Sequence, residues 1–129
     1  MRRSLLALVV LGCVDALAGC SNDALRACPP TSLQPAVEVE VRDSATDALL
    51  TSGSRGAVRD GEFVDSLRPW RFDGETPVTL GAAFGRAGRY DVTVEHPGYE
   101  RWEQHDVRSF GGGCSAGTSA LVARLEARP

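Results

Sequence analysis

The side chains able to do chemistry in this 129-residue chain are few and scattered. Its four cysteines are Cys13, Cys20, Cys28 and Cys114. A thiol can be acylated, joined in a disulfide or used as a metal ligand. No C-x-x-C spacing occurs, and His96 and His105 are not at ligand spacing with any cysteine, so neither a metal site nor a cofactor is expected. His105-Asp106 looks like half of a catalytic relay, but neighbours on a strand point to opposite faces. Glu100 and Glu103 fail as an acid–base pair for the same reason, since their odd spacing divides them between faces. Phe110-Gly111-Gly112-Gly113-Cys114 is glycine-rich yet lacks the Lys and Ser/Thr of a phosphate loop, and reads as a turn. No catalytic residue is expected. Two tryptophans are candidate ligand-binding residues. Trp70 lies beside Arg68, Arg71 and Phe72 in a stretch that reads as a loop; Trp102 lies among Glu100, Arg101 and Glu103 on a strand. Exposed Trp beside polar groups can stack a sugar or anchor a protein. The competing reading is that both cover the edge of a core.

Cys20 has a more specific context. Arg2 and Arg3 give a positive start, and Ser4 to Val14 is an almost unbroken apolar run. That run is shorter than the ~20 apolar residues of a membrane-spanning helix and has the layout of a secretory signal peptide. It ends in Leu17-Ala18-Gly19-Cys20, which resembles the lipobox of bacterial lipoproteins. The resemblance implies a diacylglycerol on the Cys20 thiol and cleavage ahead of it. Three alternatives stay open. Ala16-Leu17-Ala18 fits an ordinary A-x-A cut that would release a soluble protein. Val10-Leu11-Gly12-Cys13 is a second, bulkier lipobox, and Asp15 is an awkward charge so near the first one. The apolar helix could also remain uncleaved.

Organisation and compartment follow. Residues 1–19 read as the signal-peptide helix, 20–35 as a lipidated tether holding Pro29, Pro30 and Pro35, and 36–129 as one small domain. Cys13 leaves with the signal and Cys20 takes the lipid. The pair left in an exported chain points to one disulfide, Cys28–Cys114, against the alternative of two buried thiols. The expected location is the bacterial cell envelope, anchored by lipid, with Ser21 leaning toward the outer membrane. The expected partners are the membrane and an unidentified protein or glycan. The chain carries 14 basic and 17 acidic residues, net −3, and every basic residue is Arg. That balance argues against nucleic acid, whose phosphates need a basic surface.

The elements read as strands. Val37, Val39 and Val41 alternate with Glu38, Glu40 and Arg42, the period of a half-buried strand. Residues 43–56 are loop-like. Asp60-Gly61 between short apolar stretches predicts a type I′ hairpin, and 66–77 reads as a long turn. Val78, Leu80, Ala82 and Phe84 are expected on one face of the next strand. Tyr90, Val92 and Val94 define another, closed by the His96-Pro97-Gly98 turn. A charged strand over 99–107 and a last strand with Leu121, Ala123 and Leu125 complete the set. The composition of that last piece also allows a short helix. About seven short strands between regular turn signals predict an all-β antiparallel sandwich.

Two stretches carry a resemblance. The strand, Asp43/Thr46 turn and second strand of the first half, with Gly88-x-Tyr90-x-Val92-x-Val94-x-x-Pro97-Gly98-Tyr99 in the second, resemble the carboxypeptidase regulatory-like domains, which are prealbumin-like sandwiches. The likeness spans roughly 36–108. The family turn usually runs Thr-Gly-x-Pro-Leu; here Asp47 stands for the Gly and Leu49 for the Pro. Asp tolerates a left-handed backbone, so the turn is expected to survive. The resemblance implies a non-catalytic accessory module and no particular ligand. The prealbumin fold also hosts hydroxyisourate hydrolase, a transthyretin-like enzyme whose signature ends in Tyr-Arg-Gly-Ser, and Leu125–Pro129 does not match it. Three functions therefore stand in order: an anchored non-enzymatic envelope module, a secreted carbohydrate- or peptide-binding module, and the hydrolase.

Overall fold

The computed structural model describes residues 33–112 and 115–129. The signal segment, Cys20, Cys28 and Cys114 lie outside the described residues. Ten strands follow in chain order: β1 Pro35–Asp43, β2 Arg55–Asp60, β3 Phe63–Ser66, β4 Arg68–Asp73, β5 Thr76–Phe84, β6 Gly88–Glu95, β7 Trp102–Ser109, β8 Gly111–Gly112, β9 Ser115–Ala116 and β10 Ser119–Leu125. Eight of them form a sandwich of two four-stranded sheets, ordered β10-β1-β5-β4 and β3-β2-β6-β7. The short β8-β9 ladder stands apart, and the expected glycine-rich turn contributes β8 to it.

Alternation in the sequence becomes burial here. Val37, Val39 and Val41 are fully buried, as are Val58, Tyr90, Val92, Val94 and Ala123. They meet Leu80, Ala82 and Leu125 in one core, so valine does the work that aromatics do in larger domains. The last segment is a strand and not a helix. It pairs with β1 in parallel, Val37 opposite Ser119 through Asp43 opposite Leu125. The other sandwich pairings are antiparallel.

Three local expectations need correction. Residues 66–77 are not a long turn. β3 and β4 form one extended run that changes sheet at Leu67, whose amide donates to the Gly56 carbonyl at 2.9 Å while its side chain enters the core. Strands that switch sheets make the corners of such sandwiches. The hairpin turn is Gly61-Glu62, between the opposed residues Asp60 and Phe63. Only Gly61 has positive φ, at 59°, which is the type II′ requirement and not that of I′. The Asp73-Gly74-Glu75-Thr76 hairpin repeats the arrangement, with Gly74 at 60°. Finally, Phe84 does not share the Leu80 face. Ala83 takes a φ of 55°, which breaks the alternation, and the Phe84 ring lies over Gly81 on the other side. The Asp65 carboxylate accepts the Ala83 amide at 2.8 Å and holds that conformation.

Candidate functional site

Trp70 stands on β4, not in a loop, half-buried and edge-to-face with Phe84 at 5.0 Å. Its indole Nε1 is buried with no hydrogen-bond partner among the described residues. Trp102 opens β7 opposite Val94, half-buried and packed against the core. The two tryptophans lie on different sheets and form no shared platform.

His105 and Asp106 are separated by more than strand alternation. β7 bulges there, so that Tyr90 opposes Val107 while Val92 opposes Gln104, and Asp106 takes a φ of 57°. The His105 ring contacts Asp91 at 3.1 Å, whereas Asp106 contacts Arg89 at 2.9 Å. All four side chains are more than half exposed. Among the described residues, no group of three or more His, Cys, Asp or Glu side chains is placed to hold a metal ion.

The polar residues that do converge lie where β1 and β6 end. Asp43 closes β1, buried beside the loop it organises. Its Oδ1 accepts the amides of Ala45 and Thr46 at 2.7 and 2.8 Å. Its Oδ2 accepts the Tyr99 hydroxyl at 2.6 Å. These donors favour the charged form, the Tyr99 hydroxyl most, and lower the Asp43 pKa to about 2. The same bond raises the Tyr99 pKa. Asp47, in the loop that Asp43 organises, takes a left-handed φ of 61°. Thr51, nearly fully buried, ties the loop to both strands of its sheet. It accepts the Val41 amide at 3.1 Å and donates to the Val78 carbonyl at 2.8 Å.

Next to this tie lies a cleft of about 480 Å³, lined among others by Arg55, Glu95, His96, Tyr99, Arg101 and Arg128. The His96 and Tyr99 rings meet edge-on at 5.3 Å. The Ser54 hydroxyl donates to the Leu50 carbonyl at 2.6 Å and lies 3.0 Å from His96 Nδ1. A carbonyl only accepts, so the Ser54 proton is committed to Leu50. The His96 contact then requires Nδ1–H donating to Ser54 Oγ. That polarity is the reverse of a nucleophile and its base, in which the imidazole must accept the hydroxyl proton. Ser54 therefore orients His96, and Nε2 is the ring nitrogen left for a ligand. None of Arg55, His96, Arg101 and Arg128 stands out in the sequence as a site residue; His96 is visible there as part of a turn and as a histidine without a cysteine at ligand spacing.

No protein-family model matches the chain, and no curated protein matches it.

Proposed function

We propose that the chain is a non-enzymatic lipoprotein of the bacterial envelope, whose sandwich serves as a binding or structural module held at a membrane by acylated Cys20. The observation that carries the reading is the order of Leu17-Ala18-Gly19-Cys20 after a basic start and an apolar run, upstream of an all-β sandwich. A short proline-containing stretch between Cys20 and β1 would act as the tether. The prealbumin-like assignment rests on the likeness to carboxypeptidase regulatory-like domains, and it is supported by the left-handed Asp47 turn and the Gly98 turn, where φ is 84°. The Cys28–Cys114 disulfide belongs to the same proposal, because an exported chain meets an oxidising compartment.

Metabolic labelling with radioactive palmitate tests it. Wild-type protein is expected to label and to partition into detergent, and Cys20→Ala to do neither. Labelling that survives Cys20→Ala but is lost in Cys13→Ala moves the anchor to Cys13. An unlabelled wild-type protein found in the aqueous phase overturns the anchor and leaves the secreted module cut after Ala18.

A further inference from the structure

The lining of one cleft is basic in a molecule that is acidic as a whole. The cleft beside Asp43 and Tyr99 has three guanidinium groups in its lining, Arg55, Arg101 and Arg128, against one carboxylate, Glu95. The chain as a whole is net −3, so the cleft lining reverses the molecular balance, although Glu100, Glu103 and Glu126 lie next to it. The arginines are also weakly committed. Arg55 approaches Glu95 through Nε at 3.4 Å, with its side chain 84% exposed. Arg101 approaches Glu103 through Nε at 3.1 Å, and both side chains are about half exposed. Exposed pairs of this kind contribute little and are readily exchanged for a better acceptor. Arg128 has no ion pair among the described residues, and each guanidinium carries five donors.

The three arginines come from different segments, yet backbone bonds fix those segments together. Arg55 opens β2 directly opposite Glu95 at the end of β6. The segment carrying Arg128 is stitched to the Gly98 turn. The Arg128 amide donates to the Gly98 carbonyl at 2.9 Å, and the Glu100 amide donates to the Glu126 carbonyl at 2.8 Å. Tyr99 and Ala127 form a bridge between those two bonds. Arg101 follows on the same strapped segment. Their backbone positions are thus set before any ligand arrives, which lowers the entropic cost of binding. Guanidinium forks match the planar oxygen pairs of carboxylate and phosphate. The cleft volume is within the range of small-molecule sites.

We infer that this cleft binds a small organic anion through a carboxylate or phosphate group, with Arg55, Arg101 and Arg128 as the charged contacts and the His96 and Tyr99 rings as its wall. The inference rests on the reading of the sandwich as a binding module and not on its anchorage. The test is calorimetric titration of the full chain in neutral detergent with citrate and with pyrophosphate, using glucose as the neutral control and phosphatidylglycerol vesicles as a separate arm. At least one soluble anion is expected to saturate with a dissociation constant below about 1 mM. Arg101→Gln and Arg128→Gln are each expected to weaken it by about tenfold or more, while Arg59→Gln, on β2 outside the lining, leaves it unchanged. No saturable binding of either anion up to about 10 mM overturns the inference. So does binding to vesicles alone, or an equal loss in Arg59→Gln. Detergent partitioning reads the anchor separately, so a chain that partitions but binds no anion loses this inference and keeps its membrane assignment.

Discussion

Gly56→Ala should damage this fold severely. Gly56 sits on β2 opposite Val94, where β2 and β6 approach closely. A Cβ built there would stand 2.0 Å from the Thr93 carbonyl oxygen and 2.9 Å from Leu67 Cδ1. The leucine methyl can rotate away. The carbonyl cannot, because it belongs to the β6 backbone. β2 must therefore move outward by more than an ångström, at the point where Leu67 turns the chain from one sheet to the other. Overpacking costs about 1–3 kcal/mol, and each ladder bond lost adds about 1 kcal/mol, so the expected cost is about 3 kcal/mol or more. For a domain of this size that lowers Tm by about 12–24 °C, at about 4–8 °C per kcal/mol. Differential scanning calorimetry or circular dichroism melts measure it. Gly74→Ala is the comparison. Gly74 has a φ of 60° and open space around it, so only backbone strain of about 1–2 kcal/mol applies. Gly56→Ala/Leu67→Ala should be no more stable than Gly56→Ala, since trimming the leucine leaves the carbonyl in place. A Gly56→Ala protein that melts within a degree or two of wild type, or a rescue by Leu67→Ala, would refute the reasoning.

Acid should unfold the domain partly through Asp43. Its folded pKa is lowered from 3.8 to about 2, so its charge contributes stability that is complete above the unfolded value and is lost as pH falls from about 4 to about 2. Asp43→Asn should flatten the dependence of Tm on pH within that window, and an acid limb identical to wild type would contradict it. Tyr99→Phe removes the donor that lowers this pKa most, so the Asp43 carboxyl should titrate at higher pH by NMR. For the proposed Cys28–Cys114 disulfide, a closed loop of about 90 residues corresponds to roughly 4.5 kcal/mol in the chain-entropy model, as an upper figure. Reductant should lower Tm clearly, and two reactive thiols in the native mature protein would remove the bond from the account.

The sequence announced most strands of the sandwich and hid β4. β1, β6 and β10 were legible because Val, Tyr and Leu recur every second residue and all point into the core. β4 was not. Arg68-Pro69-Trp70-Arg71-Phe72-Asp73 lies at a sheet edge, mostly exposed, with no alternation to read. Its proline cannot donate to a ladder and sits at a register shift, the usual place for proline in a sheet. The end of β5 misled for a different reason. Ala83 holds a left-handed conformation that nothing local requires. The Asp65 carboxylate, from a strand of the other sheet, accepts its amide. At Ala83 a long-range contact overrode the local pattern, whereas at β4 there was no pattern to read.

The cleft was illegible on the same principle. Arg55, Arg101 and Arg128 are each an ordinary solvated charge in sequence, and they become neighbours only through the pairing of β2 with β6 and the bonds of Gly98 and Glu100 to the C-terminal segment. Tyr99 is the residue at which fold and cleft meet. Its hydroxyl ties the segment after β6 to the Asp43 loop, while its ring stands in the cleft wall beside His96. The two contributions are chemically separable. Tyr99→Phe keeps the ring and removes the tie, so it should move the acid limb of stability while leaving anion affinity near wild type. Arg128→Gln should do the opposite, weakening the anion while leaving the acid limb in place. If one variant moved both quantities together, the tie and the cleft would be a single energetic unit, and the affinity would depend on the Asp43 loop as much as on the arginines.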